Sequence, residues 1–203
     1  MTEGSPTLLL SRARRGNGEA LGTLLGLYRS YLKLLVRVRN GRDQNRDPSD
    51  VVQDVFLKAH KGFGQFRGTT EAELAAWLRK ILARCLADSL RQRPRDGQNP
   101  GVQNPNVRAI GAELDRSSHD WAAHLVSPRE SPSQSAERRE AAVLLAQALE
   151  KLPAQYREAI VLRQLEGLTS QQAAERMKRS VDSVRKLWAR GMIELRQIMK
   201  GQS

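Results

Sequence analysis

Apolar residues recur every three or four positions through several stretches of the chain, the spacing of one face of an α-helix. The first stretch, residues 19–38, predicts one helix that ends at Asn40-Gly41. Its inward face is formed by Leu21, Leu24, Leu25, Tyr28, Leu32, Leu35 and Val36.

Two more helices are predicted in the N-terminal half by their start signals as well as by their period. One begins at Asp47-Pro48, where an N-cap residue precedes a proline at the first helical position, and ends at Gly62. The next begins at the capping box Thr70–Glu73 and ends near Arg93-Pro94. Trp77 lies in its apolar stripe, which favours core packing over base stacking for this residue.

The pattern changes at Pro94. From there to about Ser135 the chain is rich in Pro, Gly, Asn, Gln and Ser, which predicts a linker with little fixed structure. A weak amphipathic patch inside it, near Ile110, Leu114, Trp121 and Leu125, is compatible with a transient helix. The chain is therefore divided into an N-terminal helical domain (1–93), a flexible linker (94–135) and a C-terminal helical domain (136–203).

Helices resume at residues 136–151 and again from Leu152-Pro153 to a C-cap at Gly167. A capping box at Thr169 opens a short helix, and Ser180 caps a longer one that is rich in Arg and Lys. A short helix, a tight turn and a basic second helix are typical of a helix-turn-helix. The polar side chains expected to project from the second helix are Ser180, Asp182, Ser183, Arg185, Lys186 and Arg190. By itself this pattern also fits a plain helical hairpin with a solvated basic face.

The predicted fold class is thus all-α, with two small helical domains and a helix-turn-helix in the second. The charge balance indicates the class of partner. The 34 Lys and Arg residues against 22 Asp and Glu residues give a net charge of +12, which attracts polyanions such as nucleic acid. The single cysteine, Cys85, excludes an intrachain disulfide and fits the cytosol. No segment approaches the ~18 apolar residues of a membrane span, so a cytoplasmic protein without membrane insertion is expected.

Residues for catalysis or metal binding do not form a recognisable set. His119 and His124 are five positions apart in the predicted linker, and Gly62-Phe63-Gly64 follows no strand. No enzyme activity, metal or cofactor is therefore expected.

Two separate motif sets resemble the small extracytoplasmic-function (ECF) type of bacterial sigma factor. Residues 47–59, Phe66-Arg67-Gly68, residues 77–84 and residues 87–91 resemble the second conserved region of that family. Residues 152–163 and 166–169 resemble the start of the fourth region, and residues 180–185 with Ala189-Arg190 resemble its recognition helix. The sequence departs from the family pattern at Cys85, Leu187 and Trp188, which bears on promoter bases rather than on the class.

The resemblance implies a role for each set. Asp50, Gln53, Asp54 and Lys58 would bind the clamp of RNA polymerase core, although acidic residues there also favour a helix N-terminus. The single strand of the minus-ten element would be held by Phe66, Arg67, Arg79, Lys80, Arg84 and Arg91. The duplex minus-thirty-five element would be read by Ser180, Asp182, Ser183, Arg185, Lys186 and Arg190.

The expected function is therefore a sigma factor that binds core polymerase through clamp and flap, recognises promoter DNA and helps to open it. An anti-sigma factor or another regulator is a further partner that the resemblance allows. The alternative is a stand-alone helix-turn-helix transcriptional regulator, and residues 19–93 lack the β-rich runs of a receiver domain that such a protein would need. A third possibility, a helical enzyme or an anti-sigma-type binding module, is opposed by the missing chemistry and by the net charge.

Overall fold

The computed structural model describes residues 5–40, 47–91, 106–125 and 135–201, and within these ranges the chain is helical and contains no strand. The ten α-helices are α1 Pro6–Arg14, α2 Gly18–Leu27, α3 Arg29–Asn40, α4 Pro48–Gly62, α5 Glu71–Arg91, α6 Val107–Leu125, α7 Ser135–Lys151, α8 Ala154–Ile160, α9 Ser170–Met177 and α10 Val181–Lys200. A 3₁₀ turn, Phe63–Gln65, follows α4, and a π-helical turn, Val161–Leu165, follows α8. The all-α prediction is confirmed.

The predicted start signals act as expected. The carboxylate of Asp47 accepts a hydrogen bond of 2.7 Å from the Ser49 backbone N–H, and Pro48 is the first residue of α4. At the start of α5, the Thr70 hydroxyl accepts from the Glu73 N–H at 3.2 Å while the Glu73 carboxylate accepts from the Thr70 N–H at 3.0 Å. These bonds satisfy N–H groups that have no partner inside the helix, which is why the chain enters each helix at that residue.

The helix predicted over residues 19–38 is instead two helices that meet at Tyr28. The Tyr28 N–H closes a short turn on the Leu25 carbonyl at 3.1 Å, and its buried ring anchors the corner. Gly22 and Gly26 lower the helix propensity just before the break. The apolar spacing does not reveal the corner because both helices continue to bury the same side.

The stretch 107–125 also differs from the expectation of little fixed structure, because it forms the regular helix α6. Ile110, Leu114 and Trp121 are all buried, at 4, 1 and 3% exposure. They pack against α5 and α7, so contacts outside the segment supply the stability that its composition lacks. The rest of the predicted linker, residues 94–105 and 126–134 with all five of its prolines, lies outside the described residues.

One apolar core extends from Leu9 in α1 to Leu195 in α10, and α3, α6 and α7 join the two predicted domains across it. A second, smaller cluster holds α9 and the start of α10 against the π-helical turn. The division of the chain at residues 94 and 135 stays a prediction.

Candidate nucleic-acid interface

The segment 169–190 forms a helix-turn-helix whose turn is fixed by three local features. Thr169 and Gln172 form a complete capping box at the start of α9. Lys178 ends α9 in the left-handed conformation at φ 53°, and the Ser180 hydroxyl caps α10 by accepting from the Ser183 N–H at 3.2 Å. Ala173 and Val184 are fully buried between the two helices, as their small and β-branched side chains predict.

The first three turns of α10 present a polar surface. Ser180, Asp182, Arg185, Lys186 and Arg190 are exposed and Ser183 is half-buried. Asp182 and Lys186 form an ion pair of 2.7 Å, and this bond lowers the pKa of the Asp182 carboxyl. Lys186 is thus held by an acidic neighbour, which makes Arg185 and Arg190 the more accessible cations on this surface.

The two unusual residues of α10 face the protein. Leu187 is buried, and the guanidinium of Arg163 lies over the ring of half-buried Trp188, 4.5 Å from its centroid. A cation held against an aromatic face in a partly buried site is favourable. Both departures from the family pattern thus hold α10 in place rather than extend its outer surface.

Glu166 is a buried carboxylate just before the helix-turn-helix. It bonds Arg176 of α9 at 3.1 Å, and its other oxygen has no hydrogen-bond partner within the described part of the chain. Burial raises the pKa of the Glu166 carboxyl, and the neighbouring Arg176 offsets only part of this effect.

Replacing Glu166 by Gln is expected to change how stability depends on pH. Because the folded state favours the protonated carboxyl, the stability this group contributes is present below its unfolded pKa and is lost as pH rises through the raised folded value. Glu166→Gln should therefore gain stability relative to the parent between pH 4 and pH 8, by about 1.4 kcal/mol per unit of pKa difference. Urea unfolding at both pH values checks this, and a pH-independent difference would contradict it.

The predicted polymerase-binding residues lie together on α4 but differ in exposure. Asp50 and Gln53 are exposed, whereas Asp54 is half-buried. Lys58 forms a 3.0 Å ion pair with Asp88 of α5, and this hydrogen bond raises the pKa of the lysine. Sequence reasoning missed Leu57, whose side chain is 56% exposed beside them. Its apolar character on a polar face is the signal that could have identified it.

Phe66, predicted from the sequence to contact single-stranded DNA, is buried in this structure. Its ring lies 5.6 Å from that of Phe63 and 5.1 Å from that of Trp77, so the three form an aromatic cluster. Gly68 makes room for it, because a Cβ on that residue would collide with the Phe66 ring and lie 2.9 Å from the Glu73 Cβ. Trp77 thus packs on the core as expected, and of the two residues of this loop predicted to contact DNA, only Arg67 is exposed.

Of the four cations predicted along α5, three share a face. Successive residues are rotated by about 100°, which places Lys80, Arg84 and Arg91 within about 40° of one another and Arg79 at least about 100° away. The structure agrees: Lys80, Arg84 and Arg91 are exposed, whereas Arg79 is 3% exposed. The grouping of Arg79 with the other three is therefore wrong. Its guanidinium is bound inside the protein by Tyr31 and Asp115.

Two kinds of feature are absent from the described residues. No helix there is long and apolar enough to cross a membrane. No group of three or more His, Cys, Asp or Glu side chains that could hold a metal ion occurs there either. Cys85 is buried in α5, and burial raises the pKa of its thiol.

Known proteins match both helical regions. The family description Sigma-70 region 2 matches residues 27–95, and Sigma-70, region 4 matches residues 142–195. The RNA polymerase sigma-H factor of Pseudomonas aeruginosa is 29% identical over 186 residues, which cover 91% of this chain and 89% of that protein. The ECF RNA polymerase sigma-E factor of Haemophilus influenzae is 30% identical over 188 residues, 92% of each chain. That of Escherichia coli K12 is 31% identical over 180 residues, 88% of this chain and 85% of the relative.

A solved structure is also similar in sequence. CnrH in complex with the cytosolic domain of CnrY is 24% identical and aligns over 97% of this chain and 98% of that one, with a TM-score of 0.36. That score is too low to bear on the arrangement of the helices. The sequence matches, in contrast, cover the α3–α5 region and the α7–α10 region in the order in which they occur here.

Proposed function

This chain belongs to the extracytoplasmic-function family of RNA polymerase sigma factors, and we propose that it uses three separate helical surfaces for its binding tasks. As a sigma factor it binds RNA polymerase core and directs promoter-specific initiation of transcription. Sigma factors are initiation factors rather than enzymes. A stand-alone helix-turn-helix regulator is not favoured, because region 2 is matched as well as region 4.

The first surface is the start of α10, which would read the duplex minus-thirty-five element. A helix fits the major groove of DNA, and side chains in its first turns reach the base edges. Ser180, Asp182, Arg185, Lys186 and Arg190 are exposed there, and the turn at Lys178 fixes the direction of α10 relative to α9. This exposed basic helix behind a rigid turn is the observation that carries the proposal.

The second surface is the basic face of α5, formed by Lys80, Arg84 and Arg91, with Arg67 on the preceding loop. These three cations share a narrow arc of the helix and extend about 16 Å along it. This arrangement is suited to binding the phosphates of a single strand. We assign them to the minus-ten element after strand opening. Phe66 would contact a base only if its ring left the aromatic cluster.

The third surface is the outer face of α4, with Asp50, Gln53, Leu57 and Asp54, which would bind the polymerase clamp. An exposed leucine among polar side chains is suited to a partner surface, since its apolar area would be buried on binding.

Two further proposals are a flap contact by the C-terminal helices and control by an anti-sigma factor or other regulator. Exposed Leu144 and Ile193 in α7 and α10 offer apolar area for either. RNA polymerase core and promoter DNA are the main partners, and we therefore propose that the protein acts in the cytoplasm.

Reversing the charge of Asp50 or Asp54 tests the α4 surface. Asp50→Lys and Asp54→Lys should each weaken binding to core polymerase by about tenfold, equivalent to about 1.4 kcal/mol. The measurement is fluorescence anisotropy of the labelled chain with core polymerase from the organism that encodes it.

The matched control is Glu19→Lys. Glu19 is an exposed acid in the first turn of α2, as Asp50 is in the first turn of α4, so both reversals incur the same helix-terminus penalty of ~0.3–1 kcal/mol. Equal affinity of all three variants for core polymerase would show that α4 is not part of the polymerase interface. Circular dichroism should show that each variant is folded.

A further inference from the structure

Arg79 is a buried cation whose partners come from two other helices. Its guanidinium donates to the Tyr31 hydroxyl of α3 at 2.8 Å and to the Asp115 carboxylate of α6 at 2.7 Å. The Tyr31 hydroxyl in turn donates to the Ser118 hydroxyl of α6 at 2.9 Å. We call Tyr31, Arg79, Asp115 and Ser118 the polar cluster. It ties α6 to α3 and α5.

The two sides of the Arg79–Asp115 pair differ in exposure. The Arg79 side chain is 4% exposed, whereas that of Asp115 is 51% exposed. Releasing Asp115 to water would therefore cost little for the carboxylate itself. It would leave a buried guanidinium without a counter-charge, which is the costly half of breaking such a pair. An anion that reaches Arg79 in place of Asp115 would therefore favour separation of α6 from α5.

Phosphate is the anion that the surroundings of Arg79 are suited to receive. Guanidinium binds carboxylate and phosphate with the same forked geometry. Between α5 and α6 runs an open groove of about 490 Å³ with Lys80, Arg84 and Arg108 along it and small residues such as Ala83 and Gly111 at its base. A strand that follows the basic face of α5 would pass directly beside the polar cluster.

We propose that α6 is a displaceable clamp, in which Asp115 occupies the place at Arg79 that a phosphate of single-stranded DNA takes when α6 moves away. The clamp keeps the free chain closed, because α6 also packs on α7 and an ion pair of 3.3 Å joins its Glu113 to Arg39 of α3. This inference rests on the proposed role of the α5 face. It makes Arg79 a DNA ligand of the open form only.

The first test changes Asp115 to Asn and measures binding of a fluorescein-labelled dT₂₀ oligonucleotide to the full free chain. Asp115→Asn should bind at least about fivefold more tightly than the parent, a change of about 1 kcal/mol. The control is Asp120→Asn, which makes the same change of charge about 140° around α6. Equal gains for the two variants would mean a general charge effect and would overturn the clamp.

The second test locks the helix with a disulfide. A Cβ on Gly111 would lie 4.0 Å from the Ala83 Cβ, within the range that a disulfide spans. The variant Ala83→Cys/Gly111→Cys, with Cys85→Ala to remove the native thiol, is oxidised and freed of oxidant before use. Its oxidised form should bind dT₂₀ at least about tenfold more weakly than its reduced form. Equal binding by the two forms would overturn the proposal.

The same preparation separates failure of the clamp from failure of the proposed function. Reduced protein and parent should both support transcription of genomic promoter fragments by core polymerase, and oxidised protein should not. Loss of transcription with the parent itself would refute the proposed function, whereas full activity of the oxidised form would refute only the clamp. Because oxidised and reduced protein share one sequence, a folding defect of the variant cannot account for a difference between them.

Discussion

Replacing Arg185 by Ala is expected to lower transcription from a promoter that requires the minus-thirty-five element by about tenfold to a hundredfold. Arg185 is exposed in the second turn of α10, at the depth where a recognition helix meets base edges. A bidentate contact between arginine and guanine is worth ~1–3 kcal/mol. Arg190→Ala and Lys186→Ala are expected to lower transcription less than Arg185→Ala. The loss of a phosphate contact weakens binding to all DNA sequences alike, and Lys186 is already paired with Asp182.

Arg196→Ala is the matched control for these variants. Arg196 is exposed on the same helix, eleven residues after Arg185 and nearly in line with it, but about 16 Å further along the axis. In vitro transcription with core polymerase should separate the two arginines clearly. Normal transcription by the Arg185, Lys186 and Arg190 variants together would show that the recognition helix has been assigned to the wrong segment.

Replacing Gly191 by Leu is expected to destabilise the chain by about 3 kcal/mol, the upper part of the range for overpacking. Gly191 is buried where α8 crosses α10, and a Cβ there would lie 3.0 Å from the Tyr156 Cβ and 3.1 Å from the Ile160 Cδ1. A leucine must also find space for three more carbons. The two helices would have to separate, which would move the recognition helix relative to the rest of the protein.

Gly22→Leu controls for the effect of removing a helical glycine. Gly22 is exposed in α2, and a Cβ on it would have no neighbour within 4 Å, so leucine there should add up to ~1 kcal/mol of helix propensity. Urea unfolding of both variants measures the difference. Equal stability of Gly191→Leu and Gly22→Leu would show that the α8–α10 crossing has room to spare.

The helix starts were the most predictable part of the fold. Asp47, Thr70, Thr169 and Ser180 each cap a helix as expected, because a cap depends on bonds between near neighbours in the sequence. The helix-turn-helix was predictable for the same reason. The corner at Tyr28 and the helix α6 were not, since contacts with distant parts of the chain hold both in place.

The candidate site shows the same division between local and distant causes. Exposure of Arg185 and Arg190 follows from the period of α10, and the separation of Arg79 from Lys80, Arg84 and Arg91 could have been read from helical angles alone. No local rule gives the partners of Arg79, because Tyr31 and Asp115 are 48 and 36 residues away in the sequence. Burial of Phe66 likewise depends on Trp77 and on the space left by Gly68.

The three tryptophans of the chain are distributed so that each belongs to a different helix: Trp77 to α5, Trp121 to α6 and Trp188 to α10. Trp121 is 3% exposed, so its emission should shift to longer wavelength if α6 becomes hydrated. Trp188 lies under a guanidinium that the binding of DNA could disturb. Single-tryptophan variants would therefore provide intrinsic optical probes of three regions, without an attached dye, and would allow the order of their rearrangements to be followed by stopped flow.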